Sequence, residues 1–365
     1  MKSTGNSTAF ASREEHERLD LLQLLRGLAV LAVVLFHTDH WQTYFPWPGE
    51  PPGSHFAGGF FQFGWVGVDC FFCLSGFVMF WVHGREIGHP DRAGRFVLKR
   101  LARIYPPYLG VLAVKICYFL FSKDYASLSW DHLACSFLLF PGPMIVGIAW
   151  SLAFEMFFYT LFCGAILFGW TVTRWLVALW VPSILVYQFF HWEHPSDNYV
   201  LGYLLNPFHL EFLAGTLAAS LARRNFSPAW IYAALALGTS YLIVGISTGY
   251  MEISWLLRQK APLACAFGLI LFSLAKIEQI HRVKVPWLLL FLGGASYSIY
   301  LIHNLVLVFV MEKGTRLSWT FFSDSPALMQ TAWWTIALLA LLIGSLYHLV
   351  VEKPLLKRCR RRLGI

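Results

Sequence analysis

Charge is scarce in this sequence. Asp, Glu, Lys and Arg make up 13% of the 365 residues, against about 25% in an ordinary soluble domain. That excludes a conventional soluble enzyme. There is no G-x-x-x-x-G-K-[ST] run and no G-x-G-x-x-G after a strand, so neither a P-loop nor a Rossmann nucleotide site is expected. The seven cysteines do not suit a disulfide framework. Cys70 and Cys73 have the C-x-x-C spacing but lie inside an apolar run with no second pair nearby, and read as small packing residues. Internal repeats and low-complexity blocks are missing too. Met1 to Asp20 has no apolar core, so no cleavable leader is expected.

What fills the chain is hydrocarbon. Hydrophobic residues make up 57% and aromatic residues 17%, and the mean hydropathy is +0.57. Apolar runs of about 20 residues recur, which predicts an all-α, polytopic membrane protein. About ten spans are expected: 20–40, 59–83, 105–122, 148–170, 172–190, 206–222, 228–248, 260–276, 288–311 and 329–351. Residues 131–143 read as a re-entrant or interfacial segment. Trp41, Trp150, Trp170, Trp230, Trp287 and Trp319 sit near span ends, as interfacial anchors do. With the N-terminus inside, the connections on the opposite side hold only Lys123, Arg258, Lys260, Lys313 and Arg316 of the Lys and Arg residues. The rest, apart from Arg26 and Lys115 within spans, fall inside. Both termini are therefore expected in the cytoplasm. The net charge of +8 is thus a topology signal, and no nucleic-acid partner is implied. The organisation read from this is a cytoplasmic tail 1–19, a membrane-embedded domain 20–352 and a basic cytoplasmic tail 353–365.

Against that background the polar residues inside spans stand out, because a charge there is costly and by default functional. Arg26 and His37 lie eleven positions apart. At about 100° and 1.5 Å per residue they share a face to within about 20° and stand roughly 16 Å apart along the axis. Asp69 sits deep in the second run, among Gly64, Gly67, Ser75 and Gly76, which permit close helix contact. Its partner is expected to be Arg26 or another buried group, and a register-fixing ion pair explains it as well as catalysis does. Arg100 and Arg103 share a face ahead of Tyr105-Pro106-Pro107-Tyr108. Their guanidinium forks suit phosphates, although positive-inside orientation explains part of that basic run. Glu155, near the outer end of its span, is placed to orient His37. Ser296, Tyr300 and His303 make a polar stripe at i, i+4, i+7, fit either for chemistry or for interhelical hydrogen bonding. His191, His194 and Asp197 form a weak metal pattern in a loop. No metal is expected.

Several of these stretches resemble one family. Arg26-(ten residues)-His37 resembles the Arg-x10-His motif of the acyltransferase type 3 family. Gly67 to Phe77 is very similar to its G-V-D-x-F-F-x-L-S-G-F signature. Arg100-x-x-Arg103, Trp150-Ser151-Leu152-x-x-Glu155, Ser296-Tyr297-x-x-Tyr300-Leu301-x-His303 and Val351-Glu352-Lys353-Pro354 follow in the family's order. The resemblance runs from Arg26 to about Pro354. It implies an integral membrane O-acyltransferase, in many members one that modifies bacterial cell-surface carbohydrates.

The implied donor is cytoplasmic acyl-coenzyme A, most simply acetyl-coenzyme A. The implied acceptor is a hydroxyl of a carbohydrate or lipid-linked glycan, reached from the bacterial inner membrane. His37 would be the base or acyl relay, Arg26 would position the thioester or stabilise an oxyanion, and Arg100 and Arg103 would hold the donor phosphates. Glu352 would mark the cytoplasmic boundary. The rival reading is a transporter, flippase or polysaccharide-export partner without chemistry. Matching halves with broken helices, common in transporters, are not apparent. The oligomeric state is open.

Overall fold

The computed structural model describes residues 19–44, 56–190, 199–249, 257–281, 283–316 and 326–364. Every regular element among them is helical. In chain order they are α1 (Asp20–Tyr44), α2 (Val66–His83), α3 (Ala93–Ser122), α4 (Trp130–Leu138), α5 (Trp150–Phe190), α6 (Tyr199–Leu204), α7 (Phe208–Ala222), α8 (Pro228–Ser247), α9 (Leu257–Ile280), α10 (Trp287–Arg316), α11 (Pro326–Tyr347) and α12 (Lys353–Leu363). A π-helical turn, His348–Glu352, joins α11 to α12.

Among the described residues, eight helical stretches are long and apolar enough to cross a bilayer. In hydrocarbon each backbone N–H and C=O must be satisfied within the segment, which the helix does. The outer surface agrees, with large apolar side chains such as Phe121, Leu179, Phe189 and Val350 exposed. The chain is an integral membrane protein.

The expected ten spans map onto these eight with three differences. Spans 148–170 and 172–190 fall within the single stretch α5, as two helices that meet at a kink where Gly169 has φ 77 and non-helical backbone. Only glycine takes that conformation cheaply, and the carbonyl of Ile166 accepts instead from the Gly88 N–H at 3.1 Å. Span 206–222 is the 15-residue α7, too short to cross alone at about 1.5 Å per residue. The third span starts earlier, because α3 runs from Ala93 through Pro106 and Pro107. Residues 131–143 form the short, largely exposed α4 and a following loop.

Two helix pairs build the frame of the site. α2 packs on α7 so closely that a Cβ on Gly76 would lie 1.9 Å from the Phe212 carbonyl oxygen, and one on Gly215 1.8 Å from that of Cys73. α1 packs on α10 the same way, with the Gln23 carbonyl against Gly293. Small residues are what allow backbones to approach in a membrane. α1 and α10 run in the same direction. Gln23 faces Gly293, Arg26 faces Ser296 and His37 faces His303. The polar residues of the two helices are thereby brought to matching depths.

Candidate active site

A cavity of about 530 Å³ opens among α1, α2, α3, α5, α10 and α12, within the range of small-molecule sites, roughly 300–1,000 Å³. One end is basic, with half-buried Lys99 and Arg100 and exposed Arg360 on its wall. The other end is lined by buried Ser151 and Tyr300, whose hydroxyls lie 2.7 Å apart. Arg26, Glu155 and Ser296 line the stretch between.

From Arg26 a polar line continues along α10. The Arg26 guanidinium donates to Ser296 Oγ at 3.2 Å. Tyr300 lies one turn on, and the His303 ring centroid is 5.6 Å from that of Tyr300. His303 is buried and meets His37, its Nε2 3.4 Å from His37 Nδ1 with ring centroids 4.9 Å apart. Backbone carbonyls determine both tautomers, since a carbonyl can only accept. His37 Nδ1–H donates to Val33 O at 2.9 Å, and His303 Nδ1–H to Tyr300 O at 2.6 Å. His37 therefore keeps its lone pair on Nε2, the requirement for a general base.

The expected role of Glu155 does not survive this geometry. Its carboxylate takes hydrogen bonds from Ser75 Oγ at 3.0 Å and from Tyr159. His37 is oriented instead by Val33 and His303. The reason is depth, since Glu155 faces the middle of the cavity and the imidazole pair lies beyond its Tyr300 end.

At the basic end Arg100 and Arg103 have different surroundings. Arg103 is paired with Glu352. Glu352 is wholly buried and accepts also from Ser298 Oγ at 2.6 Å and His348 Nδ1 at 2.6 Å. It is no boundary marker but the hub that ties α3, α10 and the π-helical turn together. Arg100 Nη2 donates to His83 Nε2 at 3.3 Å, while His83 Nδ1–H donates to Glu86 at 2.9 Å. Arg100 also lines the cavity, and its buried Nε has no hydrogen-bond partner.

A model of the acyltransferase domain of the Acyl_transf_3 family matches residues 19–350. The chain belongs to the acyltransferase type 3 family. The family match decides for an enzyme over a carrier without chemistry. This acyltransferase is 29% identical to the exopolysaccharide production protein ExoZ of Rhizobium meliloti, over 86% of this chain and 94% of that one. It is 27% identical to the acyltransferase MdmB of Streptomyces mycarofaciens, over 95% and 93%. Over 76% of this chain and 70% of the relative it is 28% identical to BcsY of Komagataeibacter xylinus, named for a membrane-bound transacylase. No solved structure matches.

The signature aspartate of this acyltransferase lies off the cavity. Asp69 pairs with Lys260 of α9, both buried, and not with Arg26. The Lys260 ammonium also sits 4.4 Å from the ring centroids of Trp65 and Phe208. Fully buried Glu211 of α7 feels both charges. A lysine ahead of an apolar run reads as a loop residue, so the sequence puts Lys260 in an external connection, whereas it lies buried within α9. Sequence reasoning named Ser151 only within the Trp150-Ser151-Leu152-x-x-Glu155 stretch and missed Tyr159 and His83 as cavity residues, since a hydroxyl or an end-of-helix histidine carries no signal on its own. Among the described residues no cluster of three His, Cys, Asp or Glu side chains fits a metal ion. His191, His194 and Asp197 lie outside the described residues.

Proposed function

We propose that the protein transfers an acyl group, most simply acetyl, from cytoplasmic acyl-coenzyme A to a hydroxyl of a carbohydrate or lipid-linked glycan at the bacterial inner membrane. One observation carries this reading. A single cavity leads from a basic rim to Tyr300, and the His303–His37 pair lies one turn beyond. The relatives add context: ExoZ is named for exopolysaccharide production.

Coenzyme A has its phosphates at one end and its thioester at the other. The positive-inside distribution of Lys and Arg puts the basic rim in the cytoplasm. Phosphates bind there by charge-assisted hydrogen bonds, and the pantetheine arm extends inward past Arg26 and Ser296. Arg26 stands roughly 16 Å from His37 along α1, too far to act on the same atom, so its role is to position the donor arm. At the far end His37 Nε2 takes the proton of the acceptor hydroxyl. The oxygen attacks the thioester carbonyl carbon, the C–S bond breaks, and the coenzyme A thiolate takes the proton back. His303 holds the His37 ring, and Glu155 with Ser75 and Tyr159 shapes the wall between.

The test is thiol release from acetyl-coenzyme A by purified protein in lipid discs, with and without a glycan acceptor, paired with mass spectrometry of cell-surface glycan from cells with and without the gene. Acceptor-dependent thiol release and loss of glycan acylation support the reading. Surface glycans that are identical in the two strains would overturn the acceptor class.

A further inference from the structure

The C-terminal basic stretch reads from sequence as an orientation signal. The structure puts it to a different use. Residues 353–363 form α12, whose Leu356 and Arg360, one turn apart, both line the cavity. Arg360 lies on the cavity wall with Lys99 and Arg100 and is close enough for Lys99 to feel its charge. Arg358 and Arg362 of the same helix do not line the cavity.

Three cations at one cavity end repel one another, which costs energy unless an anion sits among them. The carboxylate whose charge Lys99 feels is Glu86, and Glu86 is hydrogen-bonded to His83 at 2.9 Å. Glu352 does not relieve the imbalance, because its charge is already taken by Arg103. The rim is therefore built for more than one negative charge. A helix rich in Arg beside a membrane also suits lipid headgroups, and phosphate chemistry is common to both sources. The cavity favours a soluble ligand, since Leu356 turns the same helix face inward.

We propose that Arg360 binds the ribose 3′-phosphate of the coenzyme A donor, with Lys99 and Arg100 on its diphosphate, so that α12 forms one wall of the donor site. The proposal rests on reading the cavity as the acyl-coenzyme A site. The assignment within the rim follows exposure: Arg360 is the outermost of the three, and the 3′-phosphate lies at the nucleotide end, farthest from the thioester.

The experiment compares acetyl-coenzyme A with acetyl-dephospho-coenzyme A, which lacks the 3′-phosphate, in discs of neutral lipid and in discs with added anionic lipid. Arg360→Ala should raise KM for acetyl-coenzyme A about tenfold, the value of one charged hydrogen bond, with kcat within twofold. KM for the dephospho donor should hardly move, and Arg358→Ala should match the parent. An Arg360→Ala effect that is equal for the two donors, or that occurs only with anionic lipid, overturns the assignment. If Arg100→Ala raises the donor KM and Arg360→Ala does not, α12 is no part of the site. If neither raises it in an active enzyme, the donor reading of the cavity fails as well.

Discussion

His303 Nε2 lies 3.4 Å from His37 Nδ1, across the interface of α10 and α1. The two imidazoles come from stretches 266 residues apart in sequence, and each has its Nδ1–H tied to a backbone carbonyl of its own helix. The pair is therefore held in one tautomeric arrangement, with the basic nitrogen of His37 left for chemistry.

The first expectation separates the two histidines. His37→Ala should lower turnover about 10² to 10⁴-fold, the usual contribution of general acid–base catalysis. His303→Ala should cost only about tenfold, because the Val33 carbonyl still holds the His37 ring. Both are measured as thiol release at matched protein abundance. A reversed order would make His303 the base.

The second concerns Arg26. Its guanidinium reaches Ser296 and the cavity together. Arg26→Lys should raise the donor KM at least about tenfold, since a point charge on a flexible stem does not copy a planar fork. Ser296→Ala should show a milder change in the same direction. Steady-state kinetics with varied acetyl-coenzyme A decides it. Parent-like KM values in both variants would remove Arg26 from the donor path.

The third distinguishes the two arginines of the Arg-x-x-Arg segment. Arg100 lines the cavity and donates to His83, whereas Arg103 is neutralised by buried Glu352. Arg100→Ala should raise the donor KM with little loss of thermal stability. Arg103→Ala should mainly lower the melting temperature, because it leaves Glu352 buried without its cation. Kinetics and thermal unfolding on the same preparations would show the split, and equal effects on both quantities would refute it.

The fourth tests the signature aspartate. Lys260→Ala leaves Asp69 and Glu211 together in a dry environment. It should destabilise the fold by about 3–5 kcal/mol, as removing one partner of a buried pair does. The double change Asp69→Asn with Lys260→Met should recover much of that loss. Unfolding in detergent is the readout, and a single mutant as stable as the double would mean that the pair carries no structural weight.

Much of the site was legible because hydrocarbon makes polar residues conspicuous. Arg26, His37, Arg100, Glu155, Ser296, Tyr300 and His303 stand out against apolar runs, and the structure places all but His37 and His303 on the cavity wall. The partners were less legible. A helical wheel gives the face on which Glu155 lies but not the neighbour that face meets, and the neighbours are Ser75 and Tyr159 rather than His37. Glu352 looked like a terminal charge because the sequence ahead of it is apolar and the sequence after it basic. A π-helical turn rotates it inward onto Arg103, Ser298 and His348.

The sequence by itself determined the class of molecule. Long apolar runs have no soluble solution and no backbone option in lipid other than the helix, and the spacing of Arg26 and His37 along one helix is a consequence of 3.6 residues per turn. Tertiary structure alone decided which helices touch. That choice depends on steric fit between backbones, as where Gly76 and Gly215 admit carbonyls that any side chain would exclude. Through those contacts Lys260 became the partner of Asp69, His303 the partner of His37, and α12 a wall of the cavity. Hydropathy cannot encode such pairings, because it records how much a segment prefers lipid and not what it packs against.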